Sequence, residues 1–491
     1  MKKKGSVNKR DLLNIGDGSL TRKEFFIIFI LVLIATTFSN ALMFYIYVSN
    51  GPLASPRATV VPVVTPVSGV GTPSFREPLS MNVVYFVSAP FLDFPVVDPN
   101  ADNGAVSAYN ERGELMWKSV GSHSDFLGWY IKGVGDVSGD GRRDVLVGVP
   151  YYNLGRGRVD LFSGNMGSVL WSVYGAENKS NLFGAALDGV GNLKGLGSVV
   201  IPDVLIGSPD YDLGSLTDVG SIEIYSSNDG SFLGEKVGVN SLDHFGAEVA
   251  VISDLDGDGY DDFLVAALDT DSITVPRNGT VHLYVGTNER CKIVGGSGDH
   301  LGRDIEGLDD IDGDGVADFA VGAPNGYAVV SPYFTKPGYV RIFSGLDCSP
   351  ITNKIQGINV GDNMGWSISY IGDVNNNGVS DIVAGSPLYD SGGMIDNGRI
   401  YVIDGTGAII RTHEGLTNNE LFGYSVANVG DLDGDSINDY IVGSPRYKDA
   451  TTGKNLGRVF VFSGRNGAEL HRVVGNGGRF GWGVAGIPLA R

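Results

Sequence analysis

Five nine-residue stretches carry side-chain oxygens at positions 1, 3, 5 and 9. They are Asp136, Ser138, Asp140 and Asp144; Asp254, Asp256, Asp258 and Asp262; Asp310, Asp312, Asp314 and Asp318; Asp373, Asn375, Asn377 and Asp381; and Asp431, Asp433, Asp435 and Asp439. Position 6 is glycine in four of them and Ser436 in the last, which suits a sharp turn. Alternate side chains then converge on one point. Two like charges ~4 Å apart repel by roughly 4 kcal/mol at an effective dielectric of ~20, so such a loop needs a counter-charge. Hard oxygen donors on a flexible loop suit Ca2+ better than Mg2+, which demands strict octahedral geometry. The carbonyls at position 7, of Arg142, Tyr260, Val316, Val379 and Ile437, are expected to complete each cage. An EF-hand would need a Glu at position 12 between two helices. Here that position is apolar, as at Val265 and Val321, and β-type runs follow. The stretch after Asp188 has lost the pattern, and no ion is expected there. The Asn-bearing loop and the Ser138 loop carry fewer charges and are expected to bind more weakly.

These loops belong to a repeat. An apolar residue followed by glycine recurs at Gly128, Gly184, Gly246, Gly302, Gly365, Gly423 and Gly481, at intervals of 56, 62, 56, 63, 58 and 58. A Gly-x-Pro triplet follows five of the first six, at Gly148, Gly207, Gly322, Gly385 and Gly443; the other reads Ala-Ala-Leu from Ala266. From Phe422 onward the unit reads as a short strand, the acidic loop, an apolar run, an alternating strand and a fourth strand. Four antiparallel strands repeated radially make a β-propeller blade. The seventh unit opens at Phe480-Gly481 and has only one strand before Arg491. Its missing strands are found at the other end, in VVYFVSAP, NGAVSAYN and GELMWKSV. The expected fold is all-β: a seven-bladed β-propeller of four-stranded antiparallel blades, closed by strands from both termini and preceded by one transmembrane helix. Such closure leaves no free sheet edge.

The amino-terminal region is of another kind. Phe25 to Val48 runs 24 residues without a charge, long enough to cross a ~30 Å hydrocarbon core. Seven basic residues precede it, which by the positive-inside rule puts the N-terminus in the cytoplasm. The expected organisation is a cytoplasmic tail over 1–23, an anchor over 24–48, a Pro-rich extracellular linker over 49–80 and the propeller over 81–491. That is a single-pass plasma-membrane protein. Its net charge of −20 argues against nucleic-acid binding, which needs a basic face.

The order FG, then DxDxDGxxD, then GSP or GAP, recurring through seven units, most of which keep all three marks, resembles the FG-GAP repeats of the integrin α-subunit propeller. The resemblance covers Met81 to Arg491. It implies Ca2+ in loops on the lower face and adhesion or ligand binding on the upper face. Loops expected on that upper face carry Phe91, Phe94, Tyr151, Tyr152, Tyr211, Tyr327, Tyr333, Tyr389 and Tyr447. Tyr151, Tyr152, Tyr211, Tyr327, Tyr389 and Tyr447 are candidate ligand contacts, because tyrosine buries area at low entropic cost. Packing between blades is the alternative. Acidic residues three before the landmark glycine (Asp125, Asp243, Asp299, Asp362, Glu420) suit turn capping. The pairs Asp243-His244 and Asp299-His300 suit a solvated loop better than acid/base chemistry, and no GxSxG, HExxH or P-loop is present. Cys291 and Cys348 are permitted a disulfide outside the cell, and Asn178 and Asn278 head glycosylation sequons. The expected function is a membrane-anchored, calcium-stabilised extracellular binding or adhesion module, without catalysis, that recognises a protein or glycan. Alternatives are a hydrolase of surface glycans or lipids and a structural envelope component.

Overall fold

The computed structural model describes residues 12–15, 18–21, 59–60, 84–92, 102–122, 124–177, 179–191, 203–268, 277–325 and 336–486. The chain divides into two compact units, Met1–Arg57 and Ala58–Arg491. In the first, Leu12–Ile15 and Gly18–Thr21 pair as an antiparallel hairpin. The expected anchor over 24–48 lies outside the described residues, as does most of the expected linker. Among the described residues no helix is long and apolar enough to cross a membrane.

The second unit is a ring of seven antiparallel sheets. Blades 1 to 6 begin at inner strands Tyr130–Gly133, Ala186–Gly191, Phe245–Ile252, Ile305–Gly307, Ile368–Gly372 and Val426–Gly430, and each runs outward through four strands in chain order. Blade 6 shows the reason for the pattern. Its second strand, Asp439–Ser444, is buried at every residue, because neighbouring blades cover both its faces. Its fourth, Glu469–Val474, alternates between half-buried and exposed, because one face meets water. The cores lie between blades: Phe422 packs with Val383, Ile400 and Val402 of blade 5 and with Phe460 of blade 6.

The two sequence landmarks are two sides of one backbone contact. Gly423 donates its N–H to the Gly443 carbonyl of its own blade at 3.1 Å. A Cβ added at Gly385 of blade 5 would lie 2.0 Å from the Gly423 carbonyl oxygen, so the two backbones meet with no room for a side chain. The same approach recurs at Gly148, Gly207, Gly322 and Gly443, at 2.2, 2.0, 2.1 and 2.2 Å from the landmark glycine of the following blade.

Blade 7 is assembled from both ends of the propeller sequence. Val484–Ala485 is its inner strand, paired with Tyr85–Ser88, and Ala105–Tyr109 and Leu115–Val120 follow outward. A fifth strand, Thr59–Val60, pairs with Val120 and Ser119. Part of the expected extended linker is therefore sheet, because the outer strand offers unpaired backbone groups: closing the ring does not remove the outer edge of a blade, contrary to the expectation of no free edge. Cys291, in the outer strand of blade 3, is joined to Cys348, just beyond the third strand of blade 4, with Cα atoms 6.4 Å apart.

Candidate metal centres and the opposite face

Antiparallel order puts the connections between first and second strands on one face, where all five acidic loops lie. The loop from Asp254 folds on its own carboxylates. Asp254 accepts N–H bonds from Gly257 and Gly259, each at 2.7 Å, and Asp262 accepts from Leu255 at 2.9 Å and Gly286 at 2.7 Å. Asp310 and Asp431 repeat the first pair, and Asp318 and Asp439 the second. The position-5 side chain accepts from the position-7 N–H in every loop, which fixes Arg142, Tyr260, Val316, Val379 and Ile437 at 2.8–3.0 Å. In four loops, three carboxylates then gather oxygens within 4.8 Å of one another: Asp136, Asp140 and Asp144; Asp254, Asp256 and Asp258; Asp310, Asp312 and Asp318; Asp431, Asp433 and Asp439. Burial, with the charges of Asp312 and Asp314 adding, pushes the Asp318 carboxyl up to about 6. An all-oxygen set under that strain of like charge fits a hard divalent cation. Ser138 turns its hydroxyl onto Asp136 and Asp144 within its loop, at 3.4 and 3.3 Å. The loop with Asn375 and Asn377 draws in a residue that sequence reasoning missed, Asp404 from the following hairpin. Most of the blade 2 loop, 192–202, lies outside the described residues.

On the opposite face, Tyr152, Tyr389 and Tyr447 occupy matching places. Each lies against the arginine that opens the third strand of its blade: Arg158, Arg399 and Arg458 stand 4.7, 3.8 and 4.0 Å from the ring centres. Their contacts are those of packing. Tyr151 is 38% exposed and leans on Trp129 at 4.8 Å. Tyr211 meets the Lys179 ammonium at 5.2 Å. Phe94, Tyr327 and Tyr333 lie outside the described residues. The acidic residues before the landmark glycines cap turns: Asp125 accepts from the Ser122 N–H at 3.1 Å, Asp299 from Gly296 at 3.0 Å and Glu420 from Thr417 at 3.0 Å. His244 and His300 hold left-handed backbone, φ 50° and 52°, as do Phe126, Leu182, Asn363, Leu421 and Arg479 at the same point of the other five repeats. That shared conformation gives the two histidines a turn position. Both are buried.

The FG-GAP repeat family matches residues 129–162, 245–284, 303–343 and 422–462. Four of the seven blades carry FG-GAP repeats. The chain is 33% identical over 164 residues to integrin alpha-5 of Xenopus laevis, covering 31% of this chain and 14% of that protein. It is 28% identical over 249 residues to integrin alpha-V of Gallus gallus, covering 47% and 23%. It is also 25% identical over 267 residues to the phosphatidylinositol-glycan-specific phospholipase D of Dictyostelium discoideum, covering 46% and 27%. The chain therefore spans well under a third of the length of each of these relatives.

The centre of the FG-GAP propeller is a cavity of about 750 Å³. The residue after the landmark glycine lines it in every blade, and in four blades it is aromatic: Trp129, Trp366, Tyr424 and Trp482. Tyr424 lies 4.7 Å from Trp482, which lies 5.2 Å from Trp129. Arg303 holds this place in blade 4, its guanidinium 4.4 Å from the Trp366 ring. Side chains also bridge the cavity. The Tyr130 hydroxyl donates to Glu248 at 2.8 Å, and the Lys132 ammonium reaches Asp188 at 3.2 Å and Glu306 at 3.7 Å. Blade 1 is thereby tied to blades 2, 3 and 4. Burial and the Asp304 charge push the Glu248 carboxyl up to about 8.

Proposed function

We propose that this FG-GAP propeller is a calcium-stabilised extracellular module that binds a protein or glycan through the face opposite its cation loops. Phe25–Val48 would tether it to the plasma membrane. The observation that supports this reading best is the division of chemistry between the two faces. Convergent carboxylates lie on one, suited to holding ions that fix the hairpins. An aromatic-rimmed cavity opens among the loops of the other, and aromatic rings bury large area at interfaces. The similarity to integrin alpha chains adds to it.

In each centre, the position 1, 3, 5 and 9 oxygens and the position-7 carbonyl would hold the ion. Its charge would offset the repulsion among the carboxylates. The test is a protein and glycan array probed with the full chain, with calcium and with chelator. Saturable binding that Trp482→Ala weakens is expected. A folded, calcium-loaded chain that binds nothing saturably on either array would refute the reading.

The phospholipase D relative supports a second reading, hydrolysis of a phosphatidylinositol-glycan. Release of the glycan from such a lipid, abolished by alanine at Asp243, His244, Asp299 and His300, would establish it.

A further inference from the structure

The five loops are internal copies of one design, and one copy differs in two places at once. In blade 5 the position-3 and position-5 residues are Asn375 and Asn377, where blades 3, 4 and 6 carry aspartate. The residue before the glycine of the following hairpin is Asp404, where blades 1, 3, 4 and 6 have Ser163, Val285, Ser344 and Ser463. We infer that Asp404 is the outer carboxylate of the blade 5 cation centre, holding both asparagine ligands by their amide nitrogens and returning a negative charge to the loop. This rests on the reading of the loops as calcium centres.

The geometry fixes which way the amides face. Asn375 Oδ1 accepts the Asn377 N–H at 3.0 Å, and Asn377 Oδ1 accepts the Val379 N–H at 2.8 Å. Asp312 and Asp314 accept the same two bonds in blade 4, at 3.1 and 2.8 Å. Swapping either amide would set an NH2 against a backbone N–H. Each Oδ1 keeps a second lone pair for an ion. Each Nδ2 is turned onto Asp404 Oδ2, at 2.7 Å for Asn375, with Asn377 on the same oxygen. The other oxygen, Asp404 Oδ1, is pinned by the Thr406 N–H at 2.7 Å.

A second observation supports an ion. The Asp381 carboxylate is fully buried, and the charges of Asp404 and Asp373 both bear on it. A buried carboxylate that faces two others is costly unless something cationic meets them. Blade 6 shows the opposite adjustment. Its loop has four aspartates, and Arg465 donates to Asp435 Oδ2 at 2.7 Å. In these two blades the hairpin beside the loop thus adds charge where the loop is poor and offsets it where the loop is rich.

Outer carboxylates that orient metal ligands are worth about 10–100-fold in metal affinity. The experiment is a calcium titration of the full chain against a chromophoric chelator. Wild type is compared with Asp404→Ser, Asp404→Asn and the triple variant N375D/N377D/D404S, which copies blade 4. Either single substitution is expected to weaken one class of site by about 10–100-fold and leave the rest unchanged, and the triple variant to restore it. Single variants that titrate as wild type would overturn the inference. So would melting temperatures that both single variants lower equally in calcium and in chelator, since the Asp404–amide cluster would then close the loop without an ion. Should neither single variant fold, failure of the triple variant to match the wild-type titration would overturn it. A wild type that binds no calcium removes the calcium reading as well, whereas a change confined to these variants bears on blade 5 alone.

Discussion

Glu248 and Asp304 show what the centre of the ring demands of single residues. Burial raises both carboxyls, Glu248 to about 8 and Asp304 to about 7, and each stands under the influence of its neighbours' charges. Tyr130, Lys132, Asp188, Arg303 and Glu306 face the same space. A carboxyl whose folded pKa lies above its unfolded value adds stability at low pH and loses it as pH rises toward the folded value. In saturating calcium, which on the proposed reading would keep the loop aspartates ionised, the melting temperature should therefore fall as pH rises from about 5 to about 8. Glu248→Gln should flatten that slope. An identical pH profile in the variant, measured by calorimetry, would mean that Glu248 is ionised throughout. None of this was legible in the sequence, because the groups that meet across the cavity come from different blades, Tyr130 and Glu248 being 118 positions apart. The loop aspartates were legible for the opposite reason: their convergence is set within nine residues. Asp404 escaped notice because it reaches Asn375 only through strand pairing, from 29 positions away.

At the scale of the element, the landmark glycines are steric requirements. Gly385 has no room for a Cβ against the Gly423 carbonyl. Gly385→Val should cost about 3 kcal/mol through overpacking, read as a lower denaturation midpoint with an unchanged slope. A substitution that leaves the midpoint in place would mean that blades 5 and 6 can part at no cost. The period and strand order were readable because these contacts need glycine at fixed places in each repeat. The Cys291–Cys348 link closes a span of 57 residues across blades 3 and 4. Its removal by a double serine substitution should cost about 4 kcal/mol by loop entropy. That loss should appear in the oxidised protein and vanish in comparison with the reduced one.

For the whole molecule, the proposed ions and the closing blade would act together. Ligands that bind only the folded state add about 2.7 kcal/mol per site at 100-fold saturation. Chelation should therefore lower the melting temperature of the propeller substantially, and a melt unchanged after verified metal removal would count against structural calcium. The meeting of both ends of the propeller in blade 7 was legible from the split repeat. The strand Thr59–Val60 was not, since its alternation is too short to stand out among prolines. The placement of the N-terminal apolar stretch lies outside the described residues.

The seam at Val484–Ala485 also constrains the order of events during synthesis. Six blades can form as the chain emerges from the ribosome, but the strand Tyr85–Ser88, made some four hundred residues earlier, must wait with its inner edge bare until Val484 and Ala485 appear. A nascent chain that stalls short of them would carry a sticky, unpaired flank, which makes this junction the natural place for a chaperone to guard.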